Sequence, residues 1–425
     1  MASLAAESDT ACYAGSPGKV IPVDIAAGKA LAIARPVRET LRVPLLAAAG
    51  RVLAVPVDAP INLPPFDNAA MDGYAIRVAT FGGEGPWSLA VNCRIAAGEC
   101  GGPMPSRRNE AIRIFTGAPV PAGFDAVVMQ EHVERSGVEI IVDHRPRVGE
   151  NIRWAGEDMR SGDRLLEPGV LLSAHKLPLL AGVGFAEVEI VRKVRIGMIS
   201  TGSELRNPGE ELGEGQIYNS NRFMILSLLA ARAWAEVVDF GIVPDRPEAL
   251  SETISKAARA CDALVTTGGV SAGEEDHIVA VLDGLGANLD VLKVAMRPGK
   301  PLKIGTIGSM FFAGLPGNPN AALVTFRQIA LPAIHAIAGL RETGPDWQPA
   351  VAGFTCAKKL GRTEFVPVRI CGRDETGRPV LEMLGRGSSA SLSTMAAAEG
   401  IALLPPEIGM IERGSVLRFE RFCDC

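Results

Sequence analysis

Val194-Arg195-Ile196-Gly197-Met198-Ile199-Ser200-Thr201-Gly202-Ser203-Glu204 decides the fold. An apolar strand over 194–200 empties into a small, hydroxylated glycine turn and a carboxylate. The same unit recurs downstream. A strand over 235–243 ends in Gly241-Ile242-Val243-Pro244-Asp245. One over 263–267 ends in Thr267-Gly268-Gly269-Val270-Ser271, followed by Gly273-Glu274-Glu275-Asp276. A fourth, over 289–296, ends in Met296-Arg297-Pro298-Gly299-Lys300-Pro301. Helices are expected at 221–233, 247–260, 276–285 and 321–338. This alternation from 193 to 340 predicts a doubly wound, largely parallel α/β sheet covered on both faces.

Ligands of open α/β sheets bind beyond the carboxyl ends of the strands, and here every strand end carries suitable chemistry. Thr201-Gly202-Ser203 and Gly268-Gly269-Val270-Ser271 let backbone N–H groups approach an anion, with hydroxyls as further donors. Glu204, Asp245 and Asp276 are hard carboxylates suited to Mg²⁺ bridged to substrate phosphates. Lys293 and Arg297, four apart on the expected strand, share a face, and with Lys300 and Lys303 they make a basic patch for an oxyanion. Singly, each feature has a plain reading: a turn, a helix cap for any of the carboxylates, a solvated lysine. Gly269-Val270-Ser271-Ala272-Gly273 also fits the nucleophile elbow of α/β-hydrolases. No His-Gly-Gly-Gly loop precedes it, and only His277 and His335 follow.

Outward from this segment the pattern changes. Residues 23–34 read as a helix ended by Pro36, and 45–53 as a second short helix. Short β runs at 87–95, 111–115, 126–129 and 138–142 mark a small β-rich unit, and a helix over 173–181 is expected with Ser173 as its cap. After Gly344-Pro345, runs at 364–370, 380–383, 401–404 and 416–419 predict a C-terminal β domain. A chain of 425 residues, 47% hydrophobic, exceeds one ordinary core, so two to four domains are expected. The net charge of -5 argues against a generic nucleic-acid binder and leaves room for a local anion site. The eight cysteines form no C-x-x-C pair, and only Cys423 and Cys425, at the tail, sit together. Residues up to Pro17 read as a flexible tail. They lack a basic, apolar leader, and no run approaches a membrane span, so a cytoplasmic protein with no membrane partner is expected.

These residues resemble a known family. Pro64-Pro65-Phe66-Asp67-Asn68-Ala69-Ala70-Met71-Asp72-Gly73-Tyr74-Ala75 is similar to the P-x-F-D-N-S-A-M-D-G-Y-A signature of the molybdenum insertases, the MoeA family that includes the E domain of gephyrin. Arg113-Ile114-Phe115-Thr116-Gly117-Ala118-Pro119-Val120-Pro121 resembles its R-I-x-T-G-A-P-x-P block. Asn151-Ile152-Arg153 with Gly156-Glu157-Asp158 resembles N-x-R-x-x-G-E-D. Further blocks, in the family's order, are Ser200 to Leu205, Tyr218-Asn219-Ser220-Asn221, Gly268 to Ser271, Arg297 to Pro301 and Gly314-Leu315-Pro316-Gly317-Asn318-Pro319.

The resemblance implies four domains: an elongated mixed domain (18–55 and 159–192), an inserted β-rich domain (56–158), the molybdopterin-binding α/β domain (193–340) and a C-terminal β domain (341–425). It implies a homodimer whose site lies between the α/β domain of one subunit and the inserted domain of the other. It also implies the reaction: molybdate and adenylylated molybdopterin bind, the pyrophosphate bond is cleaved, AMP leaves, and molybdenum ends on the dithiolene. By position, Asp245 and Asp276 would hold Mg²⁺, with Glu204 aiding metal or substrate. Lys293, Arg297 and Lys300 would take phosphate and molybdate. Asp72, Thr116 and Asp158 would complete the site from the partner subunit. Thr201, Gly202, Ser203, Tyr218, Asn219, Asn221, Gly268, Gly269, Val270, Ser271, Pro298, Gly299, Pro301, Pro316, Gly317 and Asn318 would line the substrate. Ala69 stands where the family usually has Ser, and Arg297 where many members have Lys. Two other readings stay open. One is a molybdopterin adenylyltransferase, which resembles the α/β domain alone. The other is a carrier or scaffold of the same fold. A molybdopterin adenylyltransferase, apo-molybdoenzymes or their chaperones are the expected partners, and tungstate in place of molybdate is an alternative.

Overall fold

The computed structural model describes residues 20–99, 109–268, 277–385 and 390–422. Its centre is a seven-stranded sheet. In chain order the strands are β1 (Val20–Ile21), β2 (Val194–Thr201), β3 (Ala235–Val243), β4 (Ala263–Thr267), β5 (Asn288–Val294), β6 (Pro301–Ile307) and β7 (Met310–Leu315), in spatial order β1-β5-β6-β7-β4-β2-β3. β6 is antiparallel to both its neighbours and every other pairing is parallel, so β6 alone runs against the rest. All the other carboxyl ends therefore open on one edge. Side chains alternate between two cores. Ile196, Met198, Val265, Phe311 and Ala313 face helices Val23–Ile33, Ser220–Ala230 and Leu331–Ile337. Ile199, Leu264, Met310 and Phe312 face Pro247–Ala260 and His277–Gly284. The sheet is covered on both faces, as its apolar strands require.

Several expectations need correction. The hairpin β6–β7, turning on Gly308-Ser309, is absent from the sequence reading, and it makes the sheet mixed. β1 pairs with β5, and Ala26 and Ala30 are fully buried in the α/β core. The first helix therefore packs on the α/β domain and not in the elongated one. Residues 45–53 form only a 3₁₀ turn, Leu45–Ala48, before the chain extends. The helix expected from Ser173 starts at Leu177, and Ser173 caps nothing with its side chain. The last helix runs from Pro319 to Ile337 with a π turn at Phe326–Ala330.

Around this core lie three β assemblies. Thr40–Pro44 pairs with Glu187–Val191 and Val57–Asp58 with Arg164–Leu166, over a core of Leu53, Leu172, Leu180 and Ile190. A six-stranded sheet runs Ala126–Met129, Gly73–Ile76, Glu110–Ile114, Trp87–Ile95, Glu139–Val142, Val133–Ser136. In the C-terminal region Thr363–Arg373 pairs with both Pro379–Met383 and Gly400–Leu404, which closes the strands into a barrel. Met296–Arg297 adds to it as an extra strand beside Thr363–Glu364, so the α/β domain lends a segment to the barrel.

His335 sits beneath this core. Its ring stacks edge-on against Trp234, and its Nδ1 lies 3.0 Å from the Thr343 carbonyl. A carbonyl only accepts, so Nδ1 carries the hydrogen. Burial pushes the imidazole pKa down to about 4. A base whose folded pKa lies below its unfolded value stabilises the fold above the unfolded pKa, and that stability is lost as pH falls. Stability should drop on the order of 3 kcal/mol between pH 6.5 and pH 4 from this group. His335→Phe should flatten that part of the stability–pH curve in calorimetric melts. An unchanged slope would mean that other groups set it.

Candidate active site

The carboxyl edge of the sheet gathers the sequence-marked residues in one row. Thr201 is level with Val243 on one side, Ser200 with Thr267 on the other, Thr267 with Leu315, and Lys293 with Pro301. From β3 to β5 is five inter-strand steps in the spatial order, about 24 Å at ~4.8 Å each. Asp245 and Lys293 thus mark the two ends of a long row of strand ends.

Two glycines in this row, Gly268 and Gly299, are there because the backbone needs them. Gly268 has φ +88, and a Cβ on it would meet the Thr201 carbonyl oxygen at 2.1 Å. A Cβ on Gly317 would lie 3.9 Å from Gly268 Cα, an ordinary contact, and the Gly317 carbonyl accepts from Asn221 Nδ2 at 2.7 Å. Gly299 (φ +109) would collide with Thr325 Oγ1 at 2.4 Å. Asn219 caps the helix Ser220–Ala230 by accepting from the Arg222 N–H. Tyr218 donates its hydroxyl to the Glu210 carbonyl. Thr201 Oγ1, Asn219 Nδ2 and Asn221 Oδ1 are buried with no protein partner among the described residues. Such atoms are costly unless something satisfies them, and a bound polar ligand would.

At the β3 end, Gly202, Ser203, Asp245 and His277 line a cleft of about 680 Å³ with Arg206, Asn207, Glu210 and Arg246. That is the size of a small-molecule site. The helix-cap reading of Asp245 fails, because Arg246 is the N-cap of Pro247–Ala260 and no side chain caps it. Glu204 begins no helix either. Its carboxylate folds back over Gly202, where a Cβ would meet Oε2 at 2.4 Å. The sequence reading missed Arg206 and Arg246. Their signal is adjacency, one following Thr-Gly-Ser-Glu-Leu and the other following Asp245.

At the other end the expected basic face is rearranged. β5 stops at Val294, Val294 N–H binds the Lys300 carbonyl at 2.8 Å, and Arg297 leaves for the barrel. Lys293 and Arg297 therefore do not share a strand face, although both are exposed, as is Lys300. Lys303 is only 2% exposed within β6 and does not belong to a surface patch.

The inserted domain makes a second, compact cluster. Asp72 Oδ1 accepts from the Thr116 N–H at 2.8 Å and from its hydroxyl at 2.7 Å. Those two bonds hold the Asp72 carboxyl below its ordinary pKa, so it stays ionised. The three N-terminal motif blocks knit this cluster together. Asp67 Oδ1 accepts from Ala155 N–H, Ala69 pairs with Ile152, and Gly117 N–H binds the Ala69 carbonyl. Ala69 is fully buried, so the position of the usual serine points into the core. Asp158 is exposed on the turn that closes this knot, its N–H bonded to the Leu63 carbonyl. Among the described residues, the hydrogen bonds of Asp72, Thr116 and Asp158 stay within their own region. Gly269, Val270, Ser271 and Asp276 lie outside the described residues, as do Cys423 and Cys425. The serine-nucleophile reading gains no support from His335, which is packed away beneath Trp234.

Comparison with known proteins agrees with this architecture. Residues 21–184 match the model of the MoeA N-terminal region (domain I and II), 197–336 a probable molybdopterin binding domain, and 349–422 the MoeA C-terminal region (domain IV). The chain is 37% identical over 381 residues to a molybdopterin molybdenumtransferase of Haemophilus influenzae, covering 88% of this chain and 92% of that protein. It is 36% identical over 380 residues to one of Nostoc, covering 87% and 85%. A crystal structure of the molybdopterin biosynthesis moeA protein from Pyrococcus horikoshii superposes with a TM-score of 0.81 at 29% identity, covering 95% of this chain and 100% of that one.

Proposed function

This chain belongs to the MoeA family of molybdopterin molybdenumtransferases, and we propose that it moves molybdenum from molybdate onto the dithiolene of adenylylated molybdopterin, with release of AMP. The observation that carries this reading is the row of polar and charged residues along the carboxyl edge. Thr201, Asn219 and Asn221 on and beside β2 carry buried polar atoms with no partner among the described residues, the Asp245 cleft lies at one end, and exposed Lys293 and Lys300 at the other. The nucleotide and pterin ends of one extended substrate would lie along this row.

The residues divide the work. The Gly268 and Gly317 backbones allow close approach of the pyrophosphate, and Thr201, Asn219 and Asn221 offer it polar atoms. Lys293, Arg297 and Lys300 attract the oxyanion and neutralise charge as the bond breaks. Asp245 is an oxygen donor on the cleft wall, and Glu204, folded back over Gly202, is a second one, placed in the chain between the cleft-lining Ser203 and Leu205. Among the described residues, no group of three or more His, Cys, Asp or Glu is placed to hold a metal. One or two carboxylates completed by water and substrate phosphates are what Mg²⁺ prefers, so the donor set fits that ion. Bound there, Mg²⁺ would polarise the phosphoryl group under attack. A covalent nucleophile is not required.

In this proposal the chain works as a cytoplasmic homodimer, with the Asp72–Thr116 cluster and Asp158 of one subunit completing the site of the other. Its upstream partner would be a molybdopterin adenylyltransferase, and its downstream partners apo-molybdoenzymes or their chaperones. No described helix is long and apolar enough to cross a membrane. The test is AMP release from adenylylated molybdopterin and Mg²⁺, with and without molybdate. Stimulation by molybdate is expected. Adenylylation of molybdopterin by ATP in the absence of molybdate would replace this reading with the adenylyltransferase one.

A further inference from the structure

Arg297 is steered by the C-terminal barrel. Its short strand leaves the α/β sheet and pairs with Thr363–Glu364, Arg297 lying level with Glu364. The Glu364 side chain is 6% exposed, and each of its oxygens faces a guanidinium. Oε1 accepts from Arg362 Nε at 2.9 Å, and Oε2 lies 3.5 Å from Arg297 Nη1. Both arginines are far more exposed than the carboxylate between them. A carboxylate is buried at a cost that only close pairing offsets, so Glu364 is fixed while the two guanidinium groups keep solvent-exposed surface. The carboxylate has cations on its two sides, so Glu364 can orient the Arg297 fork beforehand. A cavity of about 210 Å³ between the two domains is lined by Arg297, Asn320 and Glu364, with Cys356 beside them.

We infer that Glu364 is a positioning residue: from the barrel it holds the Arg297 guanidinium, and the turn that follows it, in the orientation that receives the oxyanion substrate. The inference rests on the molybdenum-transfer reading and gives the C-terminal domain a part in it. It also gives a reason for arginine at 297. A lysine would keep the charge and lose the planar fork that a side-on carboxylate can hold.

The test is a double-mutant cycle on the full-length protein, with sodium molybdate binding read by titration calorimetry and AMP release measured in parallel. Simple electrostatics and positioning predict opposite signs, because Glu364→Gln removes a negative charge. Positioning expects E364Q to weaken molybdate binding about tenfold, yet by less than about twofold in an Arg297→Gln background. Unchanged or tighter binding in E364Q, or equal weakening in both backgrounds, would overturn it. Should E364Q fail to fold, Arg297→Lys replaces it. About fivefold weaker binding is expected, and unchanged binding overturns the inference. Coupled molybdate binding without AMP release would sink the proposed reaction and leave Glu364 in its role. A wild-type protein that neither binds molybdate nor releases AMP would sink both.

Discussion

Asp245→Asn should lower molybdate-stimulated AMP release by about 10²–10³-fold, with melting temperature and oligomeric state unchanged. The side chain stands two residues past β3, at the wall of the cleft, and caps no helix. Asp245 is not the N-cap of the helix that follows, so the loss should fall on the chemical step. Asparagine keeps the shape and one acceptor oxygen, so a large loss identifies the charge as the working feature. The same variant tests the shared site. Asp72→Asn protein should be similarly inactive, because its carboxylate belongs to the inserted domain. Mixing the two inactive variants under conditions that exchange subunits should restore roughly a quarter of wild-type activity. Random pairing makes half the dimers hybrid, each with one intact site. No recovery from mixed, exchanged subunits would place both residues in one chain's site. Full activity in Asp245→Asn would move the chemistry elsewhere on the edge.

Much of this edge was legible in the sequence because local pattern and local chemistry coincide there. The strand at 235–243, the helix at 247–260 and the strand at 263–267 fall where apolar periodicity puts them. Each strand then breaks into glycine or charge within two residues. What failed was anything set by a distant neighbour. Ala27, Ala30 and Ala34 announce a helix, but not that it packs on the α/β core. Lys303 looks like a surface cation until the sheet closes over it. The hairpin β6–β7 is hidden in the sequence because the Arg297–Pro301 turn directly precedes it. The Gly308-Ser309 turn between two apolar runs was the available signal. Asp72 and Thr116 are 44 residues apart, and only the resemblance suggested that they meet. Glu364 had no local signal at all, since its meaning comes from Arg297 on another domain.

Glu420→Ala should destabilise the junction between the α/β domain and the barrel by about 3–5 kcal/mol. Glu420 is buried on the last barrel strand, Val416–Arg421, and both of its oxygens are used across the boundary. Oε1 accepts from Arg327 Nε at 2.9 Å and from Nη2 at 2.5 Å, and Oε2 accepts from Gln328 Nε2 at 2.6 Å. Arg327 is itself mostly buried and lies 5.0 Å over the Phe422 ring. Alanine would leave that guanidinium desolvated without its counter-charge, and the loss of an ion-pair partner costs far more than the pair contributes net. Unfolding of a multidomain chain is not two-state, so the readout is the midpoint of the calorimetric transition, expected to fall by roughly 6–15 °C. The double substitution Arg327→Met with Glu420→Leu should recover much of the loss, because it removes both charges and keeps the volume. That contrast separates a stranded charge from lost packing. Arg327 and Gln328, adjacent residues of the π turn Phe326–Ala330, both reach one carboxylate. A fall of less than about 2 °C in Glu420→Ala would mean that the barrel is held to the α/β domain by its apolar contacts and by the Met296–Arg297 strand alone.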